Sequence, residues 1–136
     1  MTLREQIARD EGLRLKPYTD TTGHLTLGYG RNLTAKGISL AEAELMLDND
    51  LSEASAAVFS RLAWASALNE PRRAVLVGMA FNMGIAGLLG FRRMLAAAEA
   101  GTWDEAANEI LSSDYAHQVG VRAERYSEQM RRGEWV

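Results

Sequence analysis

The sequence contains no cysteine, so neither a disulfide nor a cysteine-ligated metal site is available to this chain. Its two histidines, His24 and His117, lie far apart without ligand spacing around them, and we expect no metal and no cofactor. There is no apolar N-terminal segment and no long apolar run, which argues against a signal peptide or a transmembrane helix. A formal net charge of −3 gives no indication of nucleic-acid binding.

A length of 136 residues predicts one folding unit, large enough to bury a core without disulfides. No internal repeat and no low-complexity linker divides the sequence. The residues most informative about function lie between Asp10 and Arg31, where two carboxylates, Glu11 and Asp20, are followed by Thr26.

Glu11 is predicted to lie in the last turn of a short helix. Thr2 and Glu5 have the spacing of a capping box at its start, and Gly12 can take a left-handed conformation at its end. Leu3, Ile7 and Glu11 follow one another at intervals of four residues, so they are expected on one face of this helix. On an inward-packing face, the helix dipole and partial desolvation would favour the neutral form of Glu11, as a proton donor to a leaving oxygen requires. An exposed surface acid is the alternative.

Asp20 and Thr26 are predicted to lie on a β-hairpin. Pro17 favours extended geometry in the residue before it, Gly23 supplies turn chemistry, and residues 25–29 alternate as a returning strand. An aspartate near the turn should stay ionised, so the two carboxylates would differ in protonation, as cleavage of a glycosidic bond requires. Taken singly, Asp20 could be an ordinary turn residue and Thr26 an ordinary strand residue.

The three residues together, in the pattern Glu11-x8-Asp20-x5-Thr26, resemble the signature of the phage lysozymes (endolysins) of glycoside hydrolase family 24. The resemblance implies an α+β, mostly α, lysozyme-like fold. In this fold a small β-hairpin lobe and a helical lobe are joined by a long helix, with a cleft between the lobes. The implied single lysozyme domain covers 1–136, with an N-terminal lobe at about 12–50, a linking helix at about 39–67, and a helical lobe at about 69–136 that includes helix 2–11.

The function that the resemblance implies is that of a muramidase. It would hydrolyse the β-1,4 bond between N-acetylmuramic acid and N-acetylglucosamine in bacterial peptidoglycan and so cause lysis. Glu11 would be the general acid, Asp20 would either activate water or stabilise the positive sugar, and Thr26 would help to hold the attacking water. That water favours inversion, with the carboxyl groups about 6.5–9.5 Å apart rather than about 5–5.5 Å.

The resemblance also implies contacts to the glycan outside the three catalytic positions. Candidate substrate-binding residues are Asn32, Phe81, Asn82, Tyr115 and Arg122. Two residues depart from the family at sugar-contacting positions: Met94 stands where a small hydroxyl residue is common, and Glu109 stands where an amide is common.

The long helix is predicted from its cap and its apolar spacing. Ser39 and Glu42 form a capping box at its start, and the spacing continues to about Ala67 without glycine or proline. Arg31 stands where the family often has a histidine, and by position its partner would be Asp50.

Two further helix boundaries are predicted in the second half of the chain. Asn69 can cap a helix that is apolar nearly all round and that ends at Gly84. Thr102 and Glu105 form a third predicted capping box.

Two other functions stay open on the sequence. A lytic transglycosylase would cleave the same bond with one acid and without a positioned water, and a non-catalytic module would bind the cell wall only. For either enzyme the expected partner is the glycan strand of peptidoglycan, and we expect a monomer without nucleic-acid binding or stable membrane association. The resemblance implies synthesis in the bacterial cytoplasm, with access to the wall through a separate, holin-type membrane-permeabilising protein.

Overall fold

The computed structural model describes all 136 residues of the chain. A small three-stranded antiparallel sheet and seven α-helices confirm the predicted class, α+β and mostly α. In chain order the elements are α1 (Leu3–Glu11), β1 (Arg14–Thr19), β2 (Leu25–Gly28), β3 (Arg31–Asn32), α2 (Leu40–Arg61), a short 3-10 helix (Ala63–Ala67), α3 (Glu70–Leu89), α4 (Arg92–Ala100), α5 (Trp103–Leu111), α6 (Asp114–Val119) and α7 (Val121–Arg132).

The chain forms two compact units, Met1–Met46 and Leu47–Val136. The first unit therefore contains α1 and the sheet, and the second contains helices α3 to α7. Helix 2–11 is instead predicted from the sequence to belong to the helical lobe, and that division of the domain stays a prediction.

In the first unit, the predicted capping box of α1 is present. The Thr2 hydroxyl accepts a hydrogen bond from the Glu5 amide at 3.2 Å, and the Glu5 carboxylate accepts one from the Thr2 amide at 2.7 Å. Gly12 closes the helix with a positive φ of 72° but an extended ψ of 165°, so the predicted left-handed cap is wrong in ψ. No residue of α1 is buried, and the predicted inward face with Leu3 and Ile7 is exposed.

The sheet has the order β1-β2-β3, so β2 is the central strand. Thr26 pairs with Tyr18 on one side and with Asn32 on the other. Thr26, at this central position, is only 3% exposed. The predicted hairpin is thus confirmed, and the structure adds a short third strand to it.

Helix α2 begins as predicted but ends earlier. Ser39 and Glu42 form the expected capping box: the Glu42 amide donates to the Ser39 hydroxyl at 3.1 Å, and the Ser39 amide donates to Glu42 Oε1 at 2.9 Å. The helix ends at Arg61, and the prediction of a helix to Ala67 is wrong. Leu62 leaves helical geometry at φ −124° and ψ 74°, and the 3-10 helix that follows buries Ala65 in the core.

The core of the second unit is built around α3. Asn69 caps this helix as predicted, accepting a hydrogen bond from the Arg72 amide at 3.2 Å. The chain breaks helical geometry at Gly84 (φ 77°, ψ 166°), where the helix was predicted to end, and a further helical turn continues to Leu89. The helix is long and apolar enough to cross a membrane by length and composition alone. Its buried side chains are those of a core helix: Val75, Leu76, Met79, Ala80 and Leu88.

The remaining helices of this unit cover that core, and one of their predicted caps is wrong. The Thr102 hydroxyl donates to the Ala97 carbonyl at 3.1 Å and makes no capping bond to Glu105. The Thr102 side chain therefore caps the C-terminal end of α4 and not the N-terminal end of α5. Helix α7 is held to α5 by a buried hydrogen bond from the Ser127 hydroxyl to the Ala107 carbonyl at 3.0 Å.

Candidate active site

Asp20 lies in the turn between β1 and β2, and the turn holds only one of its two carboxylate oxygens. Oδ1 accepts hydrogen bonds from the Thr22 amide at 2.9 Å, the Thr22 hydroxyl at 2.8 Å and the His24 amide at 2.8 Å. No hydrogen bond of the structure goes to Oδ2. The turn therefore fixes the orientation of the side chain and leaves Oδ2 for an external partner.

These hydrogen bonds lower the pKa of Asp20. The largest cause is the backbone hydrogen bond from His24, followed by the side-chain hydrogen bond from Thr22, because both stabilise the charged form. Burial acts in the opposite direction but is outweighed. The expectation of an ionised Asp20 at neutral pH is therefore supported by its hydrogen bonds.

Thr26 lies close to Asp20 because both contact His24. The Thr26 hydroxyl donates to the His24 carbonyl at 3.0 Å, and the same carbonyl accepts the Asp20 amide at 2.9 Å. Since a hydroxyl has one hydrogen, Thr26 Oγ1 can only accept from a further partner. Strand pairing and this hydrogen bond place a fixed acceptor beside the turn that carries Asp20.

Glu11 is the last residue of α1, and its carboxylate lies against the turn between β2 and β3. A Cβ atom added to Gly30 would come within 2.5 Å of Glu11 Oε2 and 3.1 Å of its Cδ. The absence of a side chain at Gly30 is thus what makes room for the carboxylate. Glu11 is exposed, so the expected partial desolvation is wrong, and it makes no hydrogen bond or ion pair with another residue.

Arg31 has a different partner from the one predicted. Its Nη1 lies 2.5 Å from Glu42 Oε1, so the prediction of a pair with Asp50 is wrong. The cause is the capping box of α2, which already holds Glu42 Oε1 at the start of the helix. Asp50 lies eight residues further along, about 12 Å at the helical rise. The Arg31 hydrogen bond is the main reason why the pKa of Glu42 is lowered to about 2.

Asn32, a candidate sugar contact, lies on β3 beside Thr26. Its Oδ1 accepts a hydrogen bond from the Ala35 amide at 3.0 Å, which closes the turn that follows the strand. The side-chain oxygen of Asn32 therefore has a structural partner, and its amide NH2 group is the part that could donate to a ligand.

In the second unit, two of the candidate sugar contacts meet directly. The Tyr115 hydroxyl donates to Asn82 Oδ1 at 2.9 Å. Tyr115 is buried and packs edge-on against Phe91, whereas Phe81 is 43% exposed at the surface of α3. The structure therefore brings Asn82 and Tyr115 together, and it leaves Phe81 as an accessible aromatic surface.

Tyr115 also lines a cavity of about 620 Å³ together with Met94 and Glu109, the two residues that depart from the family. Burial is the main reason why the pKa of Tyr115 is raised to about 12, so its hydroxyl keeps its hydrogen at neutral pH. The exposed Arg122 guanidinium acts in the opposite direction on Tyr115.

The site contacts of four residues were not predicted from the sequence: Thr22, His24, Gly30 and Glu42. The spacing Asp20-x-Thr22 is typical of a turn in which a side chain bonds the backbone two residues on, and this signal could have indicated Thr22. The contacts of Gly30 with Glu11 and of Glu42 with Arg31 join residues far apart in sequence. No local pattern indicates them.

The comparisons with known proteins agree with this fold. The phage lysozyme family model matches residues 8–132, and the chain therefore belongs to the phage lysozyme family. Membership in this family supports a lysozyme-type hydrolase function.

Individual relatives are similar over most of this chain. "Probable T4-type lysozyme 1" of Dictyostelium discoideum is 28% identical over 91% of this chain and 90% of its own length. "Probable T4-type lysozyme 2" of the same organism is 26% identical over the same shares. The "Pre-baseplate central spike protein Gp5" of Enterobacteria phage T4 is 32% identical over 92% of this chain, which spans only 27% of that longer protein.

Proposed function

We propose that this protein is a muramidase that hydrolyses the β-1,4 bond between N-acetylmuramic acid and N-acetylglucosamine in peptidoglycan. The observation that carries the proposal is the Asp20 carboxylate, which is held through Oδ1 and free at Oδ2. Cleavage of a glycosidic bond requires two acids with different roles, and Asp20 provides an ionised, oriented carboxylate while Glu11 provides an independent second acid. Family membership supports the same chemistry.

Asp20 and Thr26 are assigned to the attacking water. A water that donates one hydrogen to Asp20 Oδ2 and the other to Thr26 Oγ1 would direct its lone pair away from both. The Thr26 hydroxyl suits this role because its own hydrogen is already donated to the His24 carbonyl. Asp20 then accepts the proton from the water as a general base while the bond to the sugar forms.

Glu11 is assigned as the general acid. Its carboxyl group makes no bond to a neighbouring side chain, so it is free to contact the oxygen of the leaving sugar, to which it would donate its proton. Because the Thr26 water would attack from the face opposite the leaving group, the proposed reaction inverts the anomeric carbon.

The two acids lie toward opposite ends of β2. Asp20 lies in the turn before this strand, and Glu11 contacts the turn after it. A four-residue strand is about 10 Å long, since each step rises about 3.3 Å. Inverting enzymes hold their two carboxyl groups about 6.5–9.5 Å apart and retaining ones about 5–5.5 Å, so the separation of Glu11 and Asp20 in a glycan complex tests inversion.

The proposal is tested by digestion of purified peptidoglycan. We expect the wild type to clear it, and Glu11→Gln to lose activity by about 10²–10⁴-fold, the usual contribution of a general acid. Glu99→Gln is the matched control, because Glu99 is an exposed acid on α4 without a hydrogen bond to another side chain. Clearing by Glu11→Gln at the wild-type rate would remove Glu11 from the mechanism.

The products separate the rival functions. Hydrolysis with inversion releases a reducing muramic acid that is first detected by NMR as the α-anomer. A lytic transglycosylase would instead release anhydro-muramic acid, which mass spectrometry identifies. A wall-binding module would sediment with peptidoglycan and release neither product.

A further inference from the structure

The turn that carries Asp20 contains a chain of three polar side chains. His24 Nδ1 lies 2.7 Å from Thr22 Oγ1, and Thr22 Oγ1 lies 2.8 Å from Asp20 Oδ1. Neither Thr22 nor His24 has a role in the proposed reaction so far. Both lie in the same turn as the carboxylate whose orientation that reaction requires.

The positions of the hydrogens in this chain follow from the number of donors. An ionised Asp20 can only accept, so the single hydrogen of the Thr22 hydroxyl goes to Asp20 Oδ1. The contact between Thr22 and the imidazole then needs its hydrogen from the ring, so Nδ1 of His24 carries one. In the opposite tautomer, with hydrogen on Nε2 alone, the ring would take the Thr22 hydrogen and Asp20 would lose that bond.

We propose that Thr22 and His24 are positioning residues for Asp20 in the muramidase reaction, an inference that rests on the function proposed above. The chain from His24 Nδ1 through Thr22 to Asp20 Oδ1 keeps Oδ1 turned into the turn and Oδ2 directed outward. The ring of His24 acts through Thr22 and does not touch the sugar or the water.

His24 also connects the two residues that are assigned to the water. Its amide donates to Asp20 Oδ1 at 2.8 Å, and its carbonyl accepts the Thr26 hydroxyl at 3.0 Å. Anchoring the ring through Thr22 therefore fixes the residue whose two flanking peptide groups contact Asp20 and Thr26.

Charge in this turn comes from two groups. His24 Nδ1 lies 3.9 Å from Asp20 Oδ1, and no other ion pair of the structure includes either residue. A protonated ring donates from both nitrogens, so the direction of the chain is the same with a charged His24 as with the Nδ1–H tautomer.

The first test measures steady-state activity on peptidoglycan. We expect Thr22→Val to lower kcat about tenfold, the effect of one lost hydrogen bond, with KM unchanged. Thr22→Ser keeps the hydroxyl and should keep the wild-type kcat. Thr21→Val is the matched control, because Thr21 is exposed in the same turn without a side-chain hydrogen bond. A wild-type kcat in Thr22→Val would overturn the positioning role.

The second test does not depend on activity. Nitrogen-15 NMR of the imidazole should show neutral His24 with its hydrogen on Nδ1. An Nε2–H tautomer would refute the proposed series of hydrogen bonds from His24 through Thr22 to Asp20. Carbon-13 NMR of the Asp20 carboxyl should show a higher pKa in Thr22→Val than in Thr21→Val, because a hydrogen bond that lowers it is lost. Equal pKa values of Asp20 in the two variants would argue against the hydrogen bond from Thr22 to Asp20.

The two tests separate this inference from the proposed function. A wild-type protein that leaves peptidoglycan intact would refute the muramidase and with it the positioning role, whatever the NMR shows. An active wild type with the wrong tautomer, or with an unaffected Thr22→Val variant, would refute the positioning role alone. Melting temperatures of all variants show whether each is folded, and the backbone hydrogen bond of Thr22 to Asp20 remains in Thr22→Val.

Discussion

Replacing Gly30 by alanine should inactivate the protein while leaving it folded. The added Cβ would lie 2.5 Å from Glu11 Oε2, whereas ordinary contacts begin at 3.4 Å. The carboxylate must therefore move by about 0.9 Å. This movement is easy for the fold, because Oε2 is the far end of a flexible side chain.

The expected effects on activity and on stability differ in size. A displacement of a catalytic group by about 1 Å can lower the rate by about 10²-fold, and we expect a loss of that order in kcat. The positive φ of 74° at Gly30 adds a backbone cost of about 1–2 kcal/mol for an alanine. Most of the protein stays folded at room temperature, since a domain is stable by about 5–15 kcal/mol.

Gly28→Ala is the control that separates these two effects. Gly28 has a φ of 70°, and an added Cβ there meets nothing within 4 Å. Both variants should melt at similarly lowered temperatures, but only Gly30→Ala should lose activity on peptidoglycan. Full activity in Gly30→Ala, or an equal loss in Gly28→Ala, would refute the reasoning that contact with Gly30 sets the position of Glu11.

Three other predictions concern stability and substrate binding. The lowered pKa of Glu42, about 2 against an ordinary 4.5, stabilises the fold above pH 4.5, and this stabilisation is lost as the pH falls toward 2. Between these pH values the melting temperature should therefore fall less in Glu42→Gln than in Glu44→Gln, an exposed control on the same helix. Asn69→Ala should cost about 2 kcal/mol in chemical unfolding, because it removes the helix cap and the hydrogen bond from Asn69 Nδ2 to the Gly133 carbonyl at 2.8 Å. Asn69→Asp keeps the cap but places a carboxylate oxygen against that carbonyl, so it should be destabilised as well. Tyr115→Phe removes the hydrogen bond to Asn82, so we expect a loss of about 1 kcal/mol in the free energy of unfolding. We also expect a higher KM with kcat unchanged, and an unchanged KM would argue against a glycan contact at Asn82.

The features predicted correctly are those that depend on neighbours in sequence. The capping boxes at Thr2 and Ser39 join residues three positions apart, so the sequence contains all their partners. The turn around Asp20 is likewise local, and glycines and alternating residues indicate the hairpin.

The errors arise where tertiary structure offers a competing partner. Thr102 has the spacing of a capping residue, but its hydroxyl bonds a carbonyl of the preceding helix instead. Arg31 pairs with the nearer acid, Glu42, because the start of α2 already holds that carboxylate in place. The end of α2 near Leu62 has no glycine or proline signal, and the periodic pattern alone predicted a longer helix.

The sequence also could not predict how the carboxylate oxygens of the site are used. The motif indicates Glu11, Asp20 and Thr26 as types of residue at a spacing. It does not indicate that Glu11 contacts Gly30, or that Asp20 uses Oδ1 for the turn and leaves Oδ2 without a partner. Both features depend on the path of the folded chain.

The unequal anchoring of the two acids decides which inactive variant is suitable for trapping a bound glycan in a crystal. Asp20 accepts three hydrogen bonds that hold the hairpin turn, in addition to its proposed role in the reaction. Its truncation would therefore disorder the turn residues that a glycan complex should show. Glu11 makes no hydrogen bond to another side chain, so its amide replacement would leave the proposed binding surface in its native shape.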